Sequence, residues 1–182
     1  VGSEMCIRDS DRTDLNLPGR QLELVQAVYA TGTPVVLVLQ SGRPVTANWE
    51  NDHLSAILEA WFPGEQGGTA IAKTLFGDAA PGGRLPITFP RSVGQIPCHY
   101  SRRPGGGKRY VEMDWLPLYP FGYGLTYTTF AYRDMALSRS VIGPQDTVTV
   151  SVTVTNTGKY TGDAVPQLYA VSYTHLTLPT IA

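Results

Sequence analysis

The chain has 182 residues, 42% of them hydrophobic and 16% charged, with a formal net charge of −1. That length holds one domain or parts of two, and the composition is that of a globular chain. A charge near zero gives no pull toward nucleic acid or an anionic membrane, and the longest aliphatic run, Val35 to Leu39, is far too short to span a bilayer.

The two ends are read first as nucleotide sequence. Val1-Gly-Ser-Glu-Met-Cys-Ile-Arg-Asp-Ser10 can be written GTG GGC TCG GAG ATG TGT ATA AGA GAC AGN, and Val171-Ser-Tyr-Thr-His-Leu176 can be written GTC TCT TAT ACA CAT CTN. These strings are reverse complements over AGATGTGTATAAGAGAC, which resembles the end of a transposase-based sequencing adapter. Thr177-Leu-Pro-Thr180 fits the same adapter continuing outward. Residues 1–10 and 171–182 are therefore set aside as adapter translation. Cys6 goes with them, leaving Cys98 and no disulfide framework or cysteine metal cluster. Losing Glu4, Arg8 and Asp9 takes the net charge from −1 to 0.

Leu22, Val25, Val28 and Tyr29 recur at helical spacing, with Pro18 suited to a first turn and Gly32 to a left-handed close. Pro34 to Leu39 is apolar on both faces and predicts a strand buried in a parallel sheet. Leu54 to Trp61 fits a helix or a buried strand. After a turn at Gly64 to Gly68, Ile71, Ala72, Leu75 and Phe76 predict a helix with a buried stripe, ended by Gly77. Leu85, Ile87 and Phe89 alternate with Pro86, Thr88 and Pro90, which predicts an edge strand. Residues 11–97 thus read as the closing part of an α/β sandwich.

Residues 98–126 form a connector. A basic, glycine-rich stretch, Arg102 to Arg109, precedes Tyr110, Trp115, Tyr119, Phe121 and Tyr123, aromatics expected to bury against neighbouring domains. From residue 127 the chain turns to β structure. Thr147 to Asn156 alternates over ten residues, Asn156-Thr-Gly158 is a turn, and Ala164 to Tyr169 is expected to start another strand. A sandwich with so few strands leaves open edges, so this stretch is expected to aggregate alone.

Trp61-Phe-Pro-Gly-Glu-Gln-Gly-Gly-Thr-Ala-Ile-Ala-Lys-Thr-Leu-Phe-Gly-Asp78, Pro81-Gly-Gly-Arg-Leu-Pro-Ile-Thr-Phe-Pro90 and Tyr119-Pro-Phe-Gly-Tyr-Gly-Leu-Thr-Tyr-Thr-Thr-Phe130 stand in fixed order. Together they resemble glycoside hydrolase family 3, the β-glucosidase and β-xylosidase group, in its second half. The resemblance covers essentially all of residues 11–170. It implies an α/β/α sandwich whose strand ends near Trp61, then the start of a fibronectin type III-like β-sandwich over residues 127–170. It also implies a retaining glycosidase that acts on a β-linked oligosaccharide or glycoside with no metal or organic cofactor, two carboxyls and water sufficing. In that family an aspartate of an N-terminal barrel domain attacks the anomeric carbon, and a glutamate in a Gly-Glu-x-x-Asp-Arg type segment protonates the leaving oxygen.

Asp11-Arg12-Thr-Asp-Leu-Asn-Leu-Pro18 matches the family segment just downstream of that glutamate. The acid is expected three residues before Asp11, where Arg8 stands in the adapter-like stretch. No catalytic residue is therefore expected within the chain, which alone is expected to be inactive. The resemblance makes Asp11 and Arg12 substrate-binding candidates, with an ion pair fixing the loop as the plainer role. Arg109, Tyr110 and Trp115 are candidates for outer subsites, against packing between domains. Glu65 suits a helix start. Glu59 and Asp78 read as solvated edge residues, and Glu112 and Asp114 as connector acids. His53 and His99 lack the spacing of a metal or triad site. Gly64, Gly67 and Gly68 match neither phosphate-binding glycine pattern. β-Glucosidase activity on terminal non-reducing glucose is the leading expectation, with β-xylosidase or a non-catalytic carbohydrate-binding protein as alternatives. A nucleotide-binding α/β protein is disfavoured, and the compartment is undetermined.

Overall fold

The structure, a computed structural model, describes residues 12–101 and 110–170. Contacts divide the chain into two compact units. One takes the described residues of Val1–Leu75 with Leu85–Tyr123, the other those of Phe76–Arg84 with Gly124–Ala182.

In the first unit, α1 (Gln21–Tyr29) leads to β1 (Val36–Leu39), α2 (Asn48–His53), β2 (Ala56–Glu59) and α3 (Gly67–Phe76), whose last residue falls to the second unit. Pro18 precedes α1 by a turn and its carbonyl accepts from Gln21 N–H at 3.3 Å. At the other end Gly32, at φ +79°, donates to Tyr29 O, a left-handed close as expected. β1 and β2 pair in parallel, Val36 with Ala56 through Leu39 with Glu59. That pairing resolves the Leu54 to Trp61 ambiguity in favour of a strand.

α2 has no counterpart in the sequence pattern. Its six residues carry no apolar period, and its stability comes from contacts. Trp49 stacks on His53 one turn later at 4.3 Å, and His53 Nδ1 donates to Trp49 O at 2.7 Å. The core is small: Leu39, Val45, Ala47 and Leu118 cluster, with Leu17, Leu37, Ile57 and Tyr119 packed against them.

Two expectations of burial fail: Val36 is exposed at the start of β1, and Phe76 on α3 is 85% exposed. The α1 helix likewise buries none of its residues. Among the described residues these faces have no further layer to pack against. The expected edge strand at 85–89 is also reduced. Leu85 N–H donates to Tyr123 O, Phe89 N–H to Tyr119 O, and Phe89 O accepts from Leu118 and Tyr119. Pro86 has no N–H to continue the ladder, so one bridge, Phe89 to Tyr119, is what forms.

In the second unit β3 (Phe130–Leu137) and β4 (Val150–Asn156) run antiparallel, from Phe130 opposite Asn156 to Leu137 opposite Val150. The register shifts between Arg133 and Ala136, where Asp134 takes φ +55°. The expected turn at Asn156 is present: its Oδ1 accepts from Gly158 N–H at 3.0 Å and from Thr128 Oγ1 at 2.7 Å. Ala164 to Tyr169, expected to start another strand, forms none.

Candidate functional site

β1 and β2 end side by side at Leu39 and Glu59, and Ala60 N–H closes the ladder on Leu39 O at 2.8 Å. In open α/β sheets the carboxyl ends of parallel strands are where ligands are held. The chain turns sharply there, because Trp61 adopts φ +50°, a left-handed conformation rare for a bulky residue. Glu59 Oε1 accepts the Trp61 N–H at 3.0 Å and stabilises that turn. Its other oxygen, Oε2, is buried without a hydrogen-bond partner among the described residues. Burial raises the Glu59 pKa to about 7, and the Trp61 N–H lowers it only in part. The sequence reading of Glu59 as a solvated edge residue is thereby corrected: the turn folds back over its carboxylate.

From that turn a line of aromatics runs toward the connector. Trp61 meets Phe89 edge-on at 5.9 Å, Phe89 meets Tyr119 at 6.2 Å, and Tyr119 stacks on Tyr123 at 5.0 Å. Tyr119 donates its hydroxyl to Asn51 Oδ1 at 2.7 Å. Burial, then the neighbouring Tyr123 and Asp52, push its phenol pKa upward, with Arg91 opposing.

The connector itself is fastened by one side chain that the sequence does not single out. Gln95, 3% exposed, sits in a short 3-10 turn (Val93–Gln95) capped by Ser92. Its Oε1 accepts Arg91 N–H at 2.7 Å. Its amide nitrogen donates to the carbonyls of Asp114, Trp115 and Leu116 at 3.3, 3.2 and 3.3 Å. Arg91 Nε adds a bond to Leu116 O at 3.2 Å. No periodicity or motif marks such a residue, and only the Ser-x-Gly-Gln turn hints at it.

Of the residues singled out in sequence, Asp11 and Arg109 lie outside the described residues. Arg12 forms an ion pair with Asp14 at 3.2 Å and donates to Asn16 O at 2.8 Å, which fixes its own loop. Tyr110 donates its hydroxyl to Gly94 O at 2.7 Å, and Trp115 is 43% exposed. Tyr110 and Trp115 are thus both tied to the Val93–Gln95 turn, whereas Arg12 bonds within its own loop. Glu50, unremarked in sequence, is buried on α2.

An open cleft of about 360 Å³ lies at the other end of the parallel strands, lined by Tyr29, Thr33, Val35, His53 and Ser55 among others. It holds none of the sequence candidates. Among the described residues no group of three His, Cys, Asp or Glu side chains is arranged to hold a metal, and no helix is long and apolar enough to cross a membrane.

Residues 2–127 match the model of the glycosyl hydrolase family 3 C-terminal domain. A β-xylosidase of Formosa agariphila is 49% identical over 175 residues, 93% of this chain and 24% of the relative. A periplasmic β-glucosidase of Salmonella typhimurium is 48% identical over 176 residues, 91% of this chain and 23% of that protein. Among solved structures, a β-glucosidase from Erythrobacter marinus superposes with TM-score 0.77 at 50% identity, covering 82% of this chain and 20% of its own. A β-glucosidase from Listeria innocua in complex with isofagomine gives TM-score 0.71 at 32% identity, over 79% of this chain and 22% of its own. The chain spans about a quarter of the length of the curated relatives it matches.

Proposed function

The chain belongs to glycoside hydrolase family 3, and from that premise we propose that it is part of a retaining β-glycosidase, a β-glucosidase that removes terminal non-reducing β-D-glucosyl residues. The observation that carries the reading is the near-50% identity with enzymes of that activity class along almost the whole chain. The alternative sugar, xylose, has a specific observation in its favour: one of the two curated relatives bears the xylosidase name at the same level of identity.

Retaining hydrolysis needs two carboxyls about 5–5.5 Å apart, one attacking the anomeric carbon and one serving as acid and then base. In this reading the nucleophilic aspartate belongs to a barrel domain of the parent protein. The acid/base glutamate belongs three residues before Asp11, where Arg8 now stands in adapter-like sequence. Glu59 does not replace it: its Oε1 is engaged by Trp61 N–H and its Oε2 is shut from solvent. Residues 11–97 supply the closing part of the sandwich domain, 98–126 a connector beside the substrate, and 127–170 the start of a fibronectin type III-like module. Asp11, Arg12, Arg109, Tyr110 and Trp115 are its substrate-side residues.

The test is a paired assay. The 182-residue polypeptide, purified free of host glycosidases, is expected to release no nitrophenol from 4-nitrophenyl β-glucoside. The parent protein, recovered from source DNA, is expected to do so, and to lose the activity when the glutamate before Asp11 becomes glutamine. Hydrolysis by the short chain would contradict the placement of both carboxyls.

A further inference from the structure

We infer that Gln95 is a positioning residue for an outer sugar subsite on the connector, acting through Trp115; the inference rests on the glycosidase reading above. The segment from Tyr110 to Leu116 has no helix or strand of its own to fix it. What fixes it is a set of bonds that converge on the Val93–Gln95 turn. The Gln95 amide takes three successive carbonyls, Arg91 Nε takes one of the same three, and Tyr110 is tied through its hydroxyl to Gly94 O.

A primary amide has two N–H donors, so three carbonyls at 3.2–3.3 Å share them, and the segment is held by a fork rather than a single pin. Gln95 is deeply buried and its acceptor is also used, by Arg91 N–H, so rotation about its last torsion is locked at both atoms. The outcome of this fastening is a tryptophan whose backbone carbonyl is held while the residue as a whole stays 43% exposed. An exposed indole suits the C–H face of a pyranose, and holding its backbone in place beforehand lowers the ordering cost of binding. Terminal hydrolysis itself needs one sugar and its leaving group. A ring on the connector therefore matters for substrates with further sugars, and its effect belongs in KM.

The test uses the parent protein with two substrates, 4-nitrophenyl β-glucoside and cellotriose. Trp115→Ala leaves the buried turn untouched and is expected to raise KM for cellotriose about tenfold, with kcat and the short-substrate KM within about twofold. Gln95→Met, matched in size but without the amide, is expected to reproduce that selective rise. Combining the two should add nothing, since both act through one ring. Gln95→Glu keeps the acceptor for Arg91 N–H and loses the donors, so it should resemble Gln95→Met and not the wild type. Equal losses on both substrates, or a fall in kcat, would make Gln95 a folding residue only. An unchanged cellotriose KM in Trp115→Ala would overturn the subsite even if the Gln95 variants fail to fold. A wild-type parent inactive on both substrates would instead remove the glycosidase reading on which the subsite rests.

Discussion

Among the described residues, Glu59 carries the sharpest electrostatic consequence. In the folded form its pKa is about 7, against 4.5 for the unperturbed acid, because burial outweighs the Trp61 N–H. The folded state therefore keeps the proton after the unfolded state has lost it. Stability is unpenalised below pH 4.5, falls as the pH rises from 4.5 to about 7, and is flat above. With its open side screened by solvent, the loss amounts to roughly 1–2 kcal/mol. Glu59→Gln is expected to abolish this slope and to be the more stable form above pH 7, read by urea denaturation followed through tryptophan fluorescence at low concentration. A slope unchanged in the variant would place the titration elsewhere. The sequence hid this residue because strand alternation says which way Glu59 points and nothing about what the next turn lays over it. Gln95 was hidden for a related reason: the three carbonyls its amide nitrogen holds are nineteen to twenty-one residues away, beyond any local pattern.

At the scale of elements, α1, β1, α3 and β4 were legible, since each has a clear period or a glycine close. The α2 helix was not, because its stability comes from Trp49 on His53 and from packing that no propensity records. The 85–89 segment had the right alternation, and its pairing with 118–123 was invisible until the chain returned. Burial was the weakest expectation, with Phe76 of the α3 stripe 85% exposed. The turn after β4 offers a direct test. A methyl at Gly158 would collide with Thr128 Oγ1 and lie 2.8 Å from the backbone nitrogen of Thr129. Gly158→Ala is expected to cost about 1–3 kcal/mol, because backbone cannot step aside as a side-chain tip can. Denaturation of the variant beside the wild type checks this; equal midpoints would mean the turn opens freely.

Across the whole molecule there is an imbalance between a core of a few buried side chains and the apolar surface around it. Val36, Leu24 and Phe76 in one stretch, and Tyr132, Leu137 and Val154 in another, stay exposed, and among the described residues both sheets are two strands wide with open edges. Such a chain is expected to self-associate as its concentration rises, through edges and uncovered faces alike. Light scattering across a dilution series should show it, and a monomer that persists into the tens of micromolar, the range where unpaired edges ordinarily drive aggregation, would count against this. The same imbalance accords with a protein whose remaining layers belong to a longer parent. The resemblance found in the motifs reached the family, while the sugar lay beyond it, since glucosidase and xylosidase relatives match equally well. The most direct measurement is to sequence source DNA outward from primers inside residues 20–160. The expected result is new codons in place of Arg8 and Val171, a Gly-Glu pair with its glutamate three residues before Asp11, and a barrel domain with an aspartate nucleophile further upstream. Source DNA that encodes both termini as they stand would contradict a truncated hydrolase, and would leave a short chain for which carbohydrate binding without catalysis is the better reading.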